Sequence, residues 1–288
     1  MTALSPSSAA FEGFRLIRRE PWAIVVWMAL WLGALTAAAA AVASGQKVVI
    51  AEHGAYRELG EVARRFGPFA IAVMALFLLV WATTTVAIFR AVLRPHERRF
   101  FFLRLGADEA RLAIMTIVAF ILVLAFGSVP AYLLYVLVNP LMRAAPSLAR
   151  DIAPLGALAT VCLDIWLGVR LSLIAVETFA ERRFHLTAYW PLTQGRFWYL
   201  LLCYFFCFLM FFALTLLVFS LGGLVYQTAL EKIGAGDLLR RTSVLGLAGV
   251  LAGLTAAFFV LSSTLFCACQ AYAFRAILGG GKAGVAPV

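Results

Sequence analysis

Apolar residues in this chain gather into six runs, at 23–43, 68–90, 112–138, 153–176, 197–224 and 243–274. The short stretches between them hold most of the charge. About 20 apolar residues, rising about 1.5 Å each, cover a hydrocarbon core of about 30 Å. Every run reaches that length, so the pattern predicts an all-α fold, a polytopic membrane protein with six transmembrane helices. Residues 1–278 read as one transmembrane domain, and no connection within it could house a soluble catalytic domain. The glycine-rich end, 279–288, has little to bury and is expected to be a flexible tail.

Each odd-numbered helix is preceded by a segment that mixes large rings with cations, at 11–19, 99–106 and 184–198. That composition fits an amphipathic, interfacial elbow at headgroup level. Glu97-Arg98-Arg99-Phe100 recurs as Glu181-Arg182-Arg183-Phe184, each time shortly after an even-numbered helix. Phe89-Arg90-Ala91-Val92-Leu93 recurs as Phe274-Arg275-Ala276-Ile277-Leu278. The echoes fit three pseudo-repeated hairpins running in parallel. Pro21 suits the first turn of a helix. Asp108 and Thr193 are candidate N-caps for the third and fifth helices. Asp237 is the candidate for the sixth, after the break at Gly234-Ala235-Gly236. Leu59, Val62 and Phe66 fall near helical spacing, which predicts a short surface helix in the longest connection, 44–67.

Composition sharpens the class. Hydrophobic residues are 64% of the chain and charged residues 13%, with mean hydropathy +0.97. A soluble domain is charged at roughly one residue in four. The net charge of +10 is unevenly placed: fourteen Lys and Arg lie on the side of the two termini, nine on the other, and Arg170 within the membrane. The bias predicts cytoplasmic N- and C-termini. A basic inner face then reads as topology plus contact with anionic lipid headgroups, and no nucleic acid is implied. The first run follows a basic tail and ends in Ala41-Val42-Ala43, a cleavage-like pattern. It exceeds the apolar core of a signal peptide, about 7–15 residues, and losing it would undo the charge bias. It is expected to remain as a helix.

Candidate chemistry is sparse. The five cysteines all lie in apolar runs and the three histidines in loops, and no spacing resembles a zinc site. The thiols read as small buried apolar residues, and no cofactor or metal is expected. The fourth helix holds the intramembrane polar candidates Asp164, Arg170 and Glu177. A charge at mid-membrane costs about 2.5–3.5 kcal/mol, so such groups face protein or water. Arg170 and Glu177 share a face, whereas Asp164 points about 120° from Arg170. Asp164 therefore needs a partner elsewhere, and Thr83 to Thr85, or Ser262 to Thr264 with Gln270, could supply it. One reading is a polar path through the bundle. The favoured one is a buried polar cluster that fixes helix register, with Arg170 reaching to the inner surface. In the following elbow, Trp190 and Trp198 suit the interface, Thr193 a cap and Gly195 a tight turn. Arg196 is a candidate for holding a lipid phosphate, as are Arg98, Arg99, Arg182 and Arg183.

Arg170-Leu171-Ser172, followed by Trp190, Leu192, Thr193, Gly195 and Trp198, resembles a pattern from a known family. It is similar to the six-helix membrane domain attached to some bacterial glycerophosphoryl diester phosphodiesterases and to related stand-alone inner-membrane proteins. Tyr189 departs from that pattern, which tends to carry Ser there. The resemblance implies the six-helix fold and a bacterial inner-membrane location. It does not imply phosphodiesterase activity, because the catalytic barrel of those enzymes is a separate soluble domain.

The function expected from these readings is non-enzymatic. The chain would act as a membrane-embedded scaffold or accessory subunit that binds lipid, a membrane protein partner or a second copy of itself. Small faces such as Gly249-x-x-x-Gly253 let backbones approach, inside the bundle or between chains. The alternative is a small transporter or channel with Asp164 and Arg170 along its path. An intramembrane enzyme ranks third, since His96 and His185 lack metal or acid–base spacing.

Overall fold

The computed structural model describes residues 5–51, 59–182, 189–233 and 237–281. Every regular element among them is helical. Two short helices, α1 (Pro6–Ala10) and α2 (Glu12–Arg19), precede α3 (Pro21–Ala51) and α4 (Leu59–Leu93). A 3-10 turn at Arg99–Phe102 leads to α5 (Ala107–Ala144), α6 (Pro146–Leu171) and α7 (Ile174–Glu181). Then come α8 (Tyr189–Thr193), α9 (Phe197–Ile233) and α10 (Asp237–Gly281). Six stretches are long and apolar enough to cross a membrane: Pro21–Ala41, Ala70–Leu93, Phe100–Ala144, Pro146–Glu181, Phe197–Gln227 and Gly246–Leu278. Six crossings return the chain to its starting side. We call that side, which also holds the 3-10 turn and α8, the near face.

Local chemistry sets the boundaries. Pro21 opens α3, where a missing N–H is harmless, and the Glu20 carbonyl accepts from Ala23 and Ile24 at 3.1 and 3.3 Å. The segment holding Leu59, Val62 and Phe66 is helical but not separate. It is the start of α4, which continues through Pro68 to Leu93. Gly106, not Asp108, occupies the N-cap of α5, and its carbonyl accepts from Ala110 at 3.3 Å. Asp108 sits in the first turn and receives Arg111 Nη1 at 2.9 Å, a carboxylate placed well for the helix dipole. Asp237 lies within α10 and not ahead of it, and 234–236 fall outside the described residues. Helix α10 also takes in residues 279–281 of the expected tail, and the rest of that tail lies outside the described residues.

The helices pair as three hairpins, α3 with α4, α5 with α6, and α9 with α10. Helix α10 is the hub, packing on α9, α3, α4 and α2. Trp31 ties this hub together: its ring stacks on Phe259 at 4.7 Å and its Nε1 donates to Thr84 Oγ1 at 3.1 Å. The elbow before α3 is more than a surface anchor. Ala9 and Ala10 are fully buried beside Cys203, Cys207 and Cys269, and Leu16 is buried with the main core. At Gly13 a Cβ would lie only 2.8 Å from Leu265 Cα, so the backbones of α2 and α10 touch where only glycine fits.

Burial is strongly one-sided. Among the described spans, buried residues concentrate toward the near face; they reach past mid-span at Ala34, Val80, Ala256 and Val260, and Ala149 is buried near the far end of α6. The last buried position of α3 is Ala34, that of α5 is Met115 and that of α9 is Cys207. From Phe120 to Ala144 no described residue of α5 is buried, and Tyr132, Leu133 and Tyr135 are each more than half exposed. The core therefore fills half the bundle, and the α5–α6 hairpin meets its neighbours mainly at its near end through α4 and α7.

Candidate functional site

The polar residues of the fourth span separate onto different neighbours. Helix α6 ends where the Ser172 hydroxyl donates to the Val169 carbonyl at 2.7 Å, and α7 restarts at Ile174. Before this interruption Arg170 Nη1 donates to Thr193 Oγ1 at 3.0 Å, and the guanidinium lies over the Trp166 ring at 5.6 Å. Just after it, Tyr204 on α9 donates to Ser172 Oγ at 2.7 Å. Arg170, Ser172 and Thr193, named together on sequence grounds, thus meet around one junction that joins α6, α8 and α9.

Thr193 is a correction. It is fully buried and accepts from Arg170, whereas the first carbonyl of α9 comes from Arg196, which accepts from Leu200 N–H at 3.1 Å. Its backbone carbonyl accepts from Arg196 N–H at 3.2 Å across Gly195, whose φ of +74° suits glycine. Trp198 is 78% exposed at the start of α9. Side-chain placement of Trp190 and Arg99 lies outside the described residues, as do Arg183 and His185 altogether.

Asp164 points to α5, where its Oδ1 lies 3.1 Å from the position a Cβ would take on Gly127. That oxygen is buried and makes no hydrogen bond among the described residues. Three of the hydroxyls expected to serve it are engaged elsewhere. Thr83 donates to the Leu79 carbonyl, Thr84 to that of Val80 and Thr264 to that of Val260. Glu177 is buried beyond the interruption, and its Oε2 likewise makes no hydrogen bond among the described residues.

The near-face cations are largely held by the protein itself. Arg90, read from sequence as a loop charge, is 4% exposed; it pairs with Glu109 at 2.7 Å and donates to the Phe102 carbonyl at 3.0 Å. Arg98 pairs with Glu20 at 2.6 Å, Arg104 with Glu97 at 3.7 Å, and Arg19 donates to the Ala91 carbonyl at 2.7 Å. Arg94 lies over Phe179 at 4.9 Å. Arg182 adopts a left-handed backbone as it ends α7. A hollow of about 800 Å³ on α1 and α2 is lined by Phe11, Phe14, Arg15 and Arg18 among others, with Arg15 paired to Glu12 at 3.3 Å on the exposed surface. The two FRA copies also differ: Arg90 is buried, while Arg275 is exposed beside Tyr272 at 5.9 Å.

Between the spans lies a second feature that sequence reading missed, a cavity of about 410 Å³. Its polar wall comes from Thr85, Thr116, Ser172, Ser262, Ser263 and Gln270, on four of the spans. Asp164 and Arg170 are not among its lining residues. The only sequence signal was the density of Ser and Thr in two spans. Nothing in the spacing showed that they would face one another. Cys203, Cys207 and Cys269 converge under α1, and no cluster of metal-ligating side chains occurs among the described residues. No protein-family model, curated protein or solved structure matches this chain.

Proposed function

We propose that this protein is a non-enzymatic, multi-pass membrane protein that serves as a scaffold or accessory subunit, completed in the bilayer by lipid and by a membrane protein partner or a second copy. The observation that carries this reading is the half-filled core. Toward the far face the buried positions among the described residues thin out to Ala256 and Val260 on α10 and Ala149 on α6, and the α5–α6 hairpin stands as an arm whose described apolar faces are largely exposed. Helices in lipid associate through close packing of small residues. Gly246, Gly249 and Gly253 on the far part of α10 have no atom of the described residues within 4 Å of an added Cβ. Among the described residues the close approach that GxxxG spacing favours is unused, and another chain could take it.

The lipid component rests on α1 and α2. Phe11 and Phe14 are exposed on the same surface as Arg15 and Arg18, so rings can enter the acyl boundary while guanidinium groups meet phosphate. With the termini cytoplasmic, as the charge bias predicts, those phosphates belong to the inner leaflet of a bacterial inner membrane. A photo-crosslinking residue at Tyr132, on the exposed face of α5, tests the reading in native membranes. A single stoichiometric adduct, to itself or to one partner, is expected. Adducts to lipid alone, with a monomeric chain in nanodiscs, would overturn it.

A further inference from the structure

The cavity between the spans has the make-up of a binding site. At about 1.5 Å per residue, its lining positions on α4, α5, α6, α7, α9 and α10 fall about 9 to 24 Å along the helices from Leu93, Ala107, Glu181, Phe197 and Leu278. It is therefore an intramembrane chamber, reaching from the near leaflet toward the middle. Thr85 and Gln270 line its near end, and Gly168 and Phe211 its deep end.

Two further observations point to a ligand. Thr85 is 1% exposed, yet among the described residues its Oγ1 meets no nitrogen or oxygen partner, and the Cys267 thiol, a weak one, is within reach. A buried hydroxyl without a strong partner is destabilising, and a bound molecule that supplied one would relieve that. Gly168 is exposed although it lines the cavity, and no protein atom lies within 4 Å of an added Cβ there. The chamber therefore opens sideways to lipid at mid-membrane depth, where α6 and α9 barely touch.

The lining selects the chemistry. Among the described residues no charged side chain lines the chamber, so they offer a buried charged ligand no counter-charge. Gln270 offers both donors and an acceptor and Thr85 a hydroxyl, while Trp81, Met115, Phe211 and Phe266 supply apolar wall. The geometry points to a binding site for an uncharged, membrane-soluble molecule, its alcohol or carbonyl head between Thr85 and Gln270 and its chain leaving past Gly168. This inference does not rest on the proposed scaffold role, since a partnerless chain would keep the same chamber.

The test uses the full chain in phospholipid nanodiscs with a long-chain alcohol bearing a diazirine beside its hydroxyl. Labelling is expected on α4 and α10 around Thr85 and Gln270, saturable and displaced by unlabelled long-chain alcohol or ketone. The stronger of these two competitors identifies which head is preferred, and a fatty acid of equal length, being charged, should not compete. Thr85→Val keeps the shape and should weaken labelling about fivefold to tenfold, the worth of one hydrogen bond. Gly168→Phe should block entry and reduce labelling at least as much, with an unchanged melting temperature showing that the variant is folded. If Gly168→Phe does not fold, the Thr85→Val result decides. Labelling spread over the lipid-facing surface, equal competition by the fatty acid, or full labelling of Thr85→Val would overturn the assignment.

Discussion

At the residue scale, the decisive contacts are those that hold charge where water is scarce. Arg90 and Glu109 are each under 5% exposed and share one ion pair. Removing one partner strands the other, so Arg90→Met is expected to cost about 3–5 kcal/mol. Arg90→Met together with Glu109→Leu should recover most of that loss. Thermal unfolding in detergent measures both, and a double variant no better than the single one would show that the pair itself is the stabiliser. The sequence counts Arg90 among loop cations because it ends an apolar run, and nothing local marks it as buried. Its partner arrives nineteen residues later, after a turn whose path no periodicity encodes. Thr193 shows the same limit, since a cap and an arginine acceptor call for the same side chain.

At the element scale, the six spans were legible because hydropathy is a local property and each helix satisfies its own backbone bonds in lipid. The breaks were less so. The interruption at Ser172 depends on a hydroxyl choosing its own helix carbonyl, and the 3-10 turn depends on backbone strain. Phe100, Phe101 and Phe102 have φ of 49°, 55° and 66°, a left-handed run without glycine. Three bonds hold it: Leu103 N–H to the Phe100 carbonyl at 3.0 Å, Trp27 Nε1 to that of Phe101 at 3.1 Å, and Arg90 to that of Phe102. The left-handed conformation costs a non-glycine residue about 1–2 kcal/mol. Phe100 is 85% exposed, so Phe100→Gly loses little packing and should raise stability by about 1 kcal/mol. A lower unfolding midpoint for that variant would mean the ring itself is held at the interface.

For the whole molecule, the three hairpins were readable from run order, but the depth of their packing was not. Hydrophobic residues fill both halves of every span, because lipid accepts them as readily as a core does. Only the tertiary arrangement separates the two. The cysteines report that division directly: Cys162 is exposed, while Cys203, Cys207, Cys267 and Cys269 are buried. A lipid-soluble maleimide should label Cys162 alone in the folded chain and all five after denaturation. Early labelling of Cys203 would show that α1 does not cover it. The candidate site divided along the same line. Arg170, Ser172 and Thr193 lie close enough in sequence for a motif to join them, whereas the chamber draws on spans scattered from Trp81 to Gln270.

The seat of Gly13 against Leu265 has a consequence for biogenesis. Helix α2 leaves the ribosome well before α10, the surface it docks on. Until α10 enters the bilayer, the glycine face of α2 has no seat and the thiols of α9 have no cover from α10. Closure of this clasp thus waits for α10, and a nascent protein halted before α10 would present α1 and α2 to proteases and chaperones as undocked.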